Sequence, residues 1–365
     1  MGTQDGTQQV IIELSDMIVT DPSHTDDNYY KNLIDKFNCE MRRSCCRKRK
    51  QSSPMGFEMQ FQLVHKFGTG RNGNSQQELH SPTDIAISYH HSCILINDQQ
   101  NRRIQLFDLV TKQFKISLLQ PLGKHSLTIA LQENYNNFDQ DALLIGCSKH
   151  IQKHDLQILV RRGGNRVCLD ALLWEAKENL QQYDMRGLAV KYSFTNSLIF
   201  AACVNPFSDL SSQIAILDAT TGQCMQTFAF GKSPRGMCFS PRHDLLLVCS
   251  THESTILIFQ VTLNSGTNEE KWEQISQFGK WGHHEGEFHH PRSIVFNAKF
   301  GHWIVSDWLN GRVQIFNEKG CFVKSYGKYG DLDNQFNGPS GVCLDEETGE
   351  LYICDGGNDR VLVFK

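Results

Sequence analysis

Beyond residue 57, apolar positions fall into short runs separated by Gly, Asn, Asp and Pro. The runs have the length of β-strands and are rich in Ile, Val, Leu and Phe. Few of them follow the 3.6-residue period of an amphipathic helix. This pattern predicts an all-β domain over residues 57–365.

Residues 1–56 have a different composition, with eight acidic and eight basic side chains and little apolar content. Two stretches, 10–18 and 30–41, have helical spacing, but each is too short to fold alone. We therefore expect a flexible or partly helical tail. Its basic run at 42–50, RRSCCRKRK, suits a solvated linker, a nuclear-import signal, an RNA-phosphate patch or a palmitoylated membrane contact. The flanking residues do not choose among these.

Three segments of the domain align almost residue for residue: ILINDQQNRRIQLFD, WIVSDWLNGRVQIFN and LYICDGGNDRVLVFK. In each, an Asp ends one strand and an Arg opens the next strand five residues later. A hairpin of that length predicts an ion pair with a scaffold role, and an Asn between them suits the turn because Asn tolerates left-handed backbone. The pairs are Asp98 with Arg103, Asp307 with Arg312 and Asp355 with Arg360, and the turn residues are Asn101, Asn310 and Asn358.

A glycine-containing loop precedes each unit, as in FGKWGHHEGEFHHP and YGKYGDLDNQFNGP, and a Pro precedes the next apolar strand. Weaker copies extend the series to six starts with a mean spacing of about 51 residues. The starts are Pro82, His125, Met185, Pro234, Pro291 and Pro339. The last unit lacks an outer strand, which the segment at 61–68, FQLVHKFG, can supply. The sequence therefore predicts a six-bladed β-propeller closed by an N-terminal strand.

These motifs resemble the NHL repeat, with its F-G-x-x-G loop and its D-x-x-N-x-R hairpin. The resemblance covers residues 57–365 and is strongest in units one, five and six. It implies a propeller of the kind found in TRIM-type ubiquitin ligases, in RNA-binding translational regulators and in some enzymes. The tail lacks the paired Cys and His spacing of a RING or B-box. The chain therefore resembles only the substrate-recognition part of such a ligase.

The residue after each start should open the innermost strand and face the central channel. These residues are Thr83, Ser126, Arg186, Arg235, Arg292 and Ser340. In NHL-like lyases, the resemblance implies zinc-binding His residues at such positions, and none of the six is His. Lactonase-like propellers hold calcium with acidic and amide groups, and Asp84 alone does not form such a cage.

A second candidate for metal binding is a cluster of four histidines within one glycine loop. The cluster consists of His283, His284, His289 and His290. No Cys or paired acid stands at ligand spacing beside it, and no nucleophile elbow or phosphate-binding loop occurs in the chain. We therefore predict no metal site, no cofactor and no catalytic residue.

Three arginines on successive units, Arg186, Arg235 and Arg292, should converge on one face. Loops carrying Trp281, Trp308 and Tyr329 should reach the same face, and aromatic residues are common at binding hot spots. This arrangement predicts a concave surface for an acidic peptide or for single-stranded RNA. The alternative is that the arginines pair with neighbouring acids and only cap the channel.

Charge and cysteine content narrow the function further. Lys and Arg total 36 against 40 Asp and Glu, a net charge of -4 that disfavours binding to duplex DNA. The 13 cysteines include no C-x-x-C pair, which predicts buried thiols in a reducing compartment. The sequence shows neither a signal peptide nor an apolar run long enough to span a membrane. We therefore expect a cytoplasmic protein, with a nuclear location as an alternative.

Taken together, the patterns favour a non-enzymatic recognition scaffold that binds a protein or an acidic peptide, within a ubiquitin-ligase pathway if the resemblance extends that far. A single-stranded RNA-binding regulator is the second hypothesis. A metal-dependent lyase or lactonase-like enzyme is the third. The sequence predicts no oligomeric state.

Overall fold

The structure is a computed structural model that describes residues 59–365, apart from 120–125, 137, 139, 163–168, 194–195, 209–210, 232 and 264–269. The predicted tail at 1–56, its two helical stretches and its basic run lie outside the described residues. So does His125, the predicted start of the second unit.

The described residues form six four-stranded antiparallel sheets, which are the blades of a propeller. Blade 1 contains β2 (Pro82–Ser88), β3 (Cys93–Asp98), β4 (Arg103–Asp108) and β5 (Phe114–Leu119). Blade 2 contains β6 (Ser126–Gln132), β7 (Ala142–Cys147), β8 (Ile151–Asp155) and β9 (Leu172–Ala176). A helix α1 (Leu156–Arg162) and a 3-10 turn (Leu169–Ala171) connect β8 to β9.

The next three blades follow in chain order. Blade 3 contains β10 (Asp184–Lys191), β11 (Leu198–Val204), β12 (Ser212–Asp218) and β13 (Cys224–Gly231). Blade 4 contains β14 (Pro234–Phe239), β15 (Leu245–Ser250), β16 (Thr255–Leu263) and β17 (Glu270–Phe278). Blade 5 contains β18 (Pro291–Asn297), β19 (His302–Asp307), β20 (Arg312–Asn317) and β21 (Phe322–Tyr326).

Blade 6 joins the two ends of the propeller domain. It contains β22 (Pro339–Leu344), β23 (Leu351–Asp355), a 3-10 turn (Gly356–Asn358), β24 (Arg360–Phe364) and, as its outer strand, β1 (Leu63–Phe67). Phe67 pairs with Val361 across the closing contact. The Phe61 ring stacks on Tyr326 at a centroid distance of 4.2 Å. The prediction of a six-bladed all-β propeller closed by an N-terminal strand is confirmed.

The apolar core lies between neighbouring blades. Cys249 of blade 4, for example, packs in one cluster with Ile294 and Val305 of blade 5. Central strands such as β3, β7, β19 and β23 are buried at every position, because a neighbouring blade covers each of their faces. The inner strands contact one another in the order β2, β6, β10, β14, β18, β22 and back to β2, which closes the ring. Among the described residues, no helix is long and apolar enough to cross a bilayer.

Candidate binding face

A β-bulge near the start of each inner strand positions the channel residues. In β2, for example, Pro82 pairs with Asp98 and Asp84 with Asn97, which leaves Thr83 without a cross-strand partner. The other five inner strands show the same shift in register. A bulge of this kind turns a side chain away from its regular direction. The bulged residues Thr83, Leu127, Arg186, Arg235, Arg292 and Ser340 all line a cavity of about 410 Å³ between the inner strands.

The structure corrects the predicted channel position in blade 2. Ser126, which the sequence placed in the channel, is buried and pairs with Cys147, just as Pro82 pairs with Asp98 in blade 1. The channel residue is Leu127. Blade 2 has no Pro to mark the start of its inner strand, so the prediction set the register one residue too early.

Each repeated Asp accepts a hydrogen bond from the Arg five residues later. The Nε–Oδ2 distances are 2.7 Å for Arg103 and Asp98, 2.9 Å for Arg312 and Asp307, and 2.8 Å for Arg360 and Asp355. The other Oδ of each carboxylate accepts a backbone N–H from the glycine loop, at 2.7 Å in all three blades. Burial raises the pKa of these carboxyls, and the surrounding donors oppose that shift.

The turn asparagines act through their side chains, not through left-handed backbone as predicted. Asn310 Nδ2 donates to Asp307 Oδ2 at 2.8 Å and to the Gly282 carbonyl at 3.0 Å, and Asn101 and Asn358 make the equivalent pair of bonds. The left-handed residue is the next one along the chain: Arg102, Gly311 or Asp359.

This network fixes the glycine loop of blade 5 to its own hairpin. Arg312 Nη2 donates to the carbonyl oxygens of His284 and Glu287 at 2.7 and 2.8 Å. Trp281, in the same loop, forms an isolated bridge with Phe288. The loop that carries the exposed indole is therefore held at both ends by the repeat itself.

The three channel arginines differ in their partners. Arg186 Nη2 donates to Asp184 at 2.6 Å. In the part of the chain that the structure describes, Arg235 and Arg292 have no carboxylate within ion-pair distance. The Nε atoms of all three are buried without a hydrogen-bond partner among those residues. Of the three arginines, only Arg186 therefore has a neighbouring acid as its partner among the described residues.

Burial and mutual repulsion act on the two unpaired guanidiniums. Burial, followed by the charge of Arg186, lowers the pKa of Arg235 to about 10. Burial, followed by the charges of Arg235 and Arg186, lowers the pKa of Arg292 to about 8. Guanidinium groups keep their charge in proteins at neutral pH, so both side chains are cationic there. The carboxylate of Asp184 offsets part of the shift at Arg235. The channel mouth thus carries two positive charges that have no carboxylate within ion-pair distance among the described residues.

Trp308 joins the channel mouth to the outer part of the face. The Arg292 Cζ lies 3.5 Å from the centroid of the Trp308 ring, and His290 stacks on the same indole with centroids 6.2 Å apart. A second cavity of about 220 Å³ is lined by Trp308, Tyr329, Arg292 and Ser340. It shares Arg292 and Ser340 with the channel cavity.

The two remaining aromatic residues are exposed. Trp281 and Tyr329 are 63% and 70% accessible, and they occupy equivalent positions in the glycine loops of blades 5 and 6. Leu309 and Leu332, which no sequence motif marks, are also exposed in the loops at this end. We call the surface formed by Arg186, Arg235, Arg292, Trp281, Trp308 and Tyr329 the arginine face.

The histidine loop forms a row of rings beside this face. The ring centroids of His283 and His289 lie 5.3 Å apart, and so do those of His289 and His290. The Trp281 ring contacts both His283 and His289. Within the described part of the chain, no group of three or more His, Cys, Asp or Glu side chains is arranged to hold a metal ion.

Comparison with known proteins agrees with the architecture. The family profile described as the NHL repeat matches residues 336–364. No curated protein matches the sequence significantly. A structure of regucalcin, a calcium-binding protein from Agrobacterium tumefaciens, is similar with a TM-score of 0.56 and 11% identity, covering 80% of this chain and 91% of that one.

Nutrient-binding proteins share the same fold. An auxiliary nutrient binding protein from Bacteroides ovatus gives a TM-score of 0.59 with 13% identity, over 84% of this chain and 77% of that one. An auxiliary nutrient binding protein from Bacteroides thetaiotaomicron gives a TM-score of 0.56 with 16% identity, over 79% of this chain and 69% of that one. Identities this low show the fold alone. The chain is a six-bladed β-propeller that carries an NHL repeat.

Proposed function

We propose that the propeller is a non-enzymatic recognition module that binds a protein partner through an acidic segment placed on the arginine face. The observation that carries the proposal is the pair Arg235 and Arg292, which are cationic, half-buried and without a carboxylate partner among the described residues. Burying an unpaired charge is costly. A ligand that brings negative charge to the channel mouth recovers part of that cost.

The surroundings of the arginines suit a peptide. Trp281, Tyr329, Leu309 and Leu332 give the face an exposed apolar rim next to a charged centre. Protein interfaces commonly combine aromatic anchors with arginine in this way. Because the rim belongs to loops that the repeat hydrogen bonds hold, it is pre-organised for binding.

Charge balance favours protein over RNA as the partner. Residues 57–365 contain 28 basic and 32 acidic side chains, whereas RNA-binding surfaces rely on a basic excess. We further propose that the module selects substrates within a ubiquitin-ligase pathway in the cytoplasm or nucleus. The resemblance of its repeats to those of TRIM-type ligases supports this role.

Site-specific photocrosslinking in cells tests the proposal. A benzophenone amino acid is placed at Tyr329 of the full chain and, as a control, at Met225, which is 60% exposed on the outer strand of blade 3. We expect protein adducts at Tyr329 that disappear when Arg235→Gln and Arg292→Gln are combined and that persist with Arg102→Gln. Adducts that contain only RNA, or that form equally at Met225, would contradict the proposal.

A further inference from the structure

The charges at the channel mouth do not balance. Arg235 and Arg292 contribute two positive charges. Besides burial, the charge of Arg186 lowers the pKa of Arg235, and the charges of Arg235 and Arg186 lower the pKa of Arg292. Asp184 is already bound to Arg186. Asp84 lines the same cavity, but its carboxylate accepts bonds from Thr128 Oγ1, Ile129 N and Ile85 N at 2.7, 3.0 and 3.0 Å, so it is occupied elsewhere.

A single carboxylate would leave one of the two guanidinium charges uncompensated. A phosphomonoester carries a charge of about -1.5 to -2 at neutral pH and offers three acceptor oxygens. It therefore matches two cations better than the side chain of Asp or Glu does. Guanidinium groups bind phosphate through pairs of N–H groups. The Nε atoms of Arg235 and Arg292 are buried, so the Nη groups of these two side chains, which line the cavity, are the donors offered to a ligand.

One further donor lies at the same place. Thr83 lines both cavities together with Arg292. Its Oγ1 accepts a hydrogen bond from Asn97 Nδ2 at 2.8 Å, so its own hydroxyl hydrogen is available to a ligand oxygen. The mouth thus combines two guanidiniums with a hydroxyl donor beside a cavity large enough to admit a side chain.

We infer that the group bound at the channel mouth is a phosphorylated Ser, Thr or Tyr side chain of the protein partner, held by Arg235 and Arg292. This inference rests on the proposed function and names the ligand chemistry of the same site. It also gives the module a switch, because phosphorylation of the partner would create the binding group.

The indole of Trp308 favours a phosphopeptide over the phosphate of a single-stranded RNA. RNA readers stack bases on open aromatic faces. In this structure the Trp308 ring is covered by the Arg292 guanidinium at 3.5 Å and is also stacked against His290. The Trp308 ring therefore positions the Arg292 guanidinium, and the Nη groups of Arg292 remain available to an anion.

Fluorescence anisotropy with the full chain tests the inference. Four probes are compared: degenerate peptide libraries with a fixed central phosphoserine, serine or Glu-Glu pair, and a 5′-phosphorylated single-stranded RNA. We expect the phosphoserine library to bind at least tenfold more tightly than the other peptides, and inorganic phosphate to compete with it. Loss of each arginine should weaken binding about tenfold, so Arg235→Gln and Arg292→Gln are tested singly and together. Arg102→Gln, an exposed arginine of the blade 1 hairpin, is the matched control.

The outcomes separate the inference from the proposed function. Equal binding of the serine, Glu-Glu and phosphoserine libraries that still requires both arginines would overturn the inference and leave the proposed function standing. Binding of inorganic phosphate alone, an adventitious ion only, would overturn the inference. Absence of binding by every peptide, or binding of RNA alone, would contradict both. Because the glutamine variants remove charge without removing a hydrogen-bonded partner, thermal unfolding should show them to be folded.

Discussion

The guanidinium carbon of Arg292 lies 3.5 Å from the ring centroid of Trp308, and the same arginine has no carboxylate partner among the described residues. A cation over an indole face gains about 0.5 to 2 kcal/mol, depending on how dry the site is. Trp308 therefore positions the arginine without neutralising it. This combination is suited to a group that must stay available to an anionic ligand.

Replacing Trp308 by Leu should weaken binding at the arginine face. The stacking contact is lost, so Arg292 has to be ordered when the ligand binds. We expect about a fivefold to tenfold loss of affinity, with a loss of about 1 to 2 kcal/mol in the free energy of unfolding.

Trp281→Leu is the comparison, because Trp281 is exposed and should affect affinity while leaving stability unchanged. Isothermal titration with the crosslinked partner's peptide and urea unfolding measure the two quantities. Unchanged affinity for Trp308→Leu would show that the contact does not serve binding.

Replacing Arg235 or Arg312 by Met should change the free energy of unfolding in opposite directions. Arg235 is half-buried, its Nε atom has no hydrogen-bond partner, and no carboxylate lies within ion-pair distance of it among the described residues, so Arg235→Met should raise the free energy of unfolding by about 1 kcal/mol. Arg312 neutralises the buried Asp307 and binds two loop carbonyls, so Arg312→Met should lower it by about 3 kcal/mol or more. Denaturant unfolding of both variants provides the measurement. A loss of stability in Arg235→Met comparable to that in Arg312→Met would indicate a structural role for Arg235.

The difference between these arginines marks what the sequence can and cannot predict. Arg312 recurs at a fixed distance from Asp307 in three units, so its partner is visible from spacing alone. Arg235 has no such local partner. Whether Asp184 or another acid neutralises it depends on how three inner strands meet around the axis, which no local pattern encodes.

The closing strand should be essential for stability. β1 supplies the outer strand of blade 6 and brings Phe61 and Phe67 into its apolar clusters. A chain that begins at residue 59 should unfold like the full chain, whereas one that begins at residue 69 exposes the edge of β24. We expect the shorter chain to lose at least 10 °C in its unfolding midpoint or to aggregate, as followed by circular dichroism. Equal midpoints for the two truncated chains would show that closure contributes little.

The pKa of His290 should report the charge at the channel mouth. Burial is the main reason that the pKa of His290 lies below 6.5. The positive charges of His289, His252, Arg292 and Arg235 lower this pKa further. The folded state therefore holds this proton less well than the unfolded state, and stability is lost as the pH falls below 6.5. Arg292→Gln should raise the pKa of His290, and so should a bound anion. NMR titration of the His290 ring protons measures the shift, and Lys280→Gln, an exposed site, serves as control. A pKa that does not move in Arg292→Gln would contradict the electrostatic coupling.

The fold was predictable because its signals are local and repeated. Asp98, Asp307 and Asp355 each belong to one hairpin, and the spacing of the six strand starts sets the blade count. Blade 2 lacks both the Pro and the Asp–Arg pair, so Leu127 and α1 were missed. The roles of Asn101, Asn310 and Asn358 were also misread, because their side chains bond to a loop about 28 residues away in sequence.

The most direct test of the arginine face is an NMR titration of arginine Nε–Hε signals with an acidic peptide recovered from the Tyr329 crosslink. Arg103, Arg312 and Arg360 already donate through Nε to aspartates and serve as internal references. We expect the Arg235 and Arg292 signals to shift in a saturable way while the signals of those three arginines stay fixed. Saturable binding in which Arg235 and Arg292 do not shift would place the partner elsewhere on the propeller.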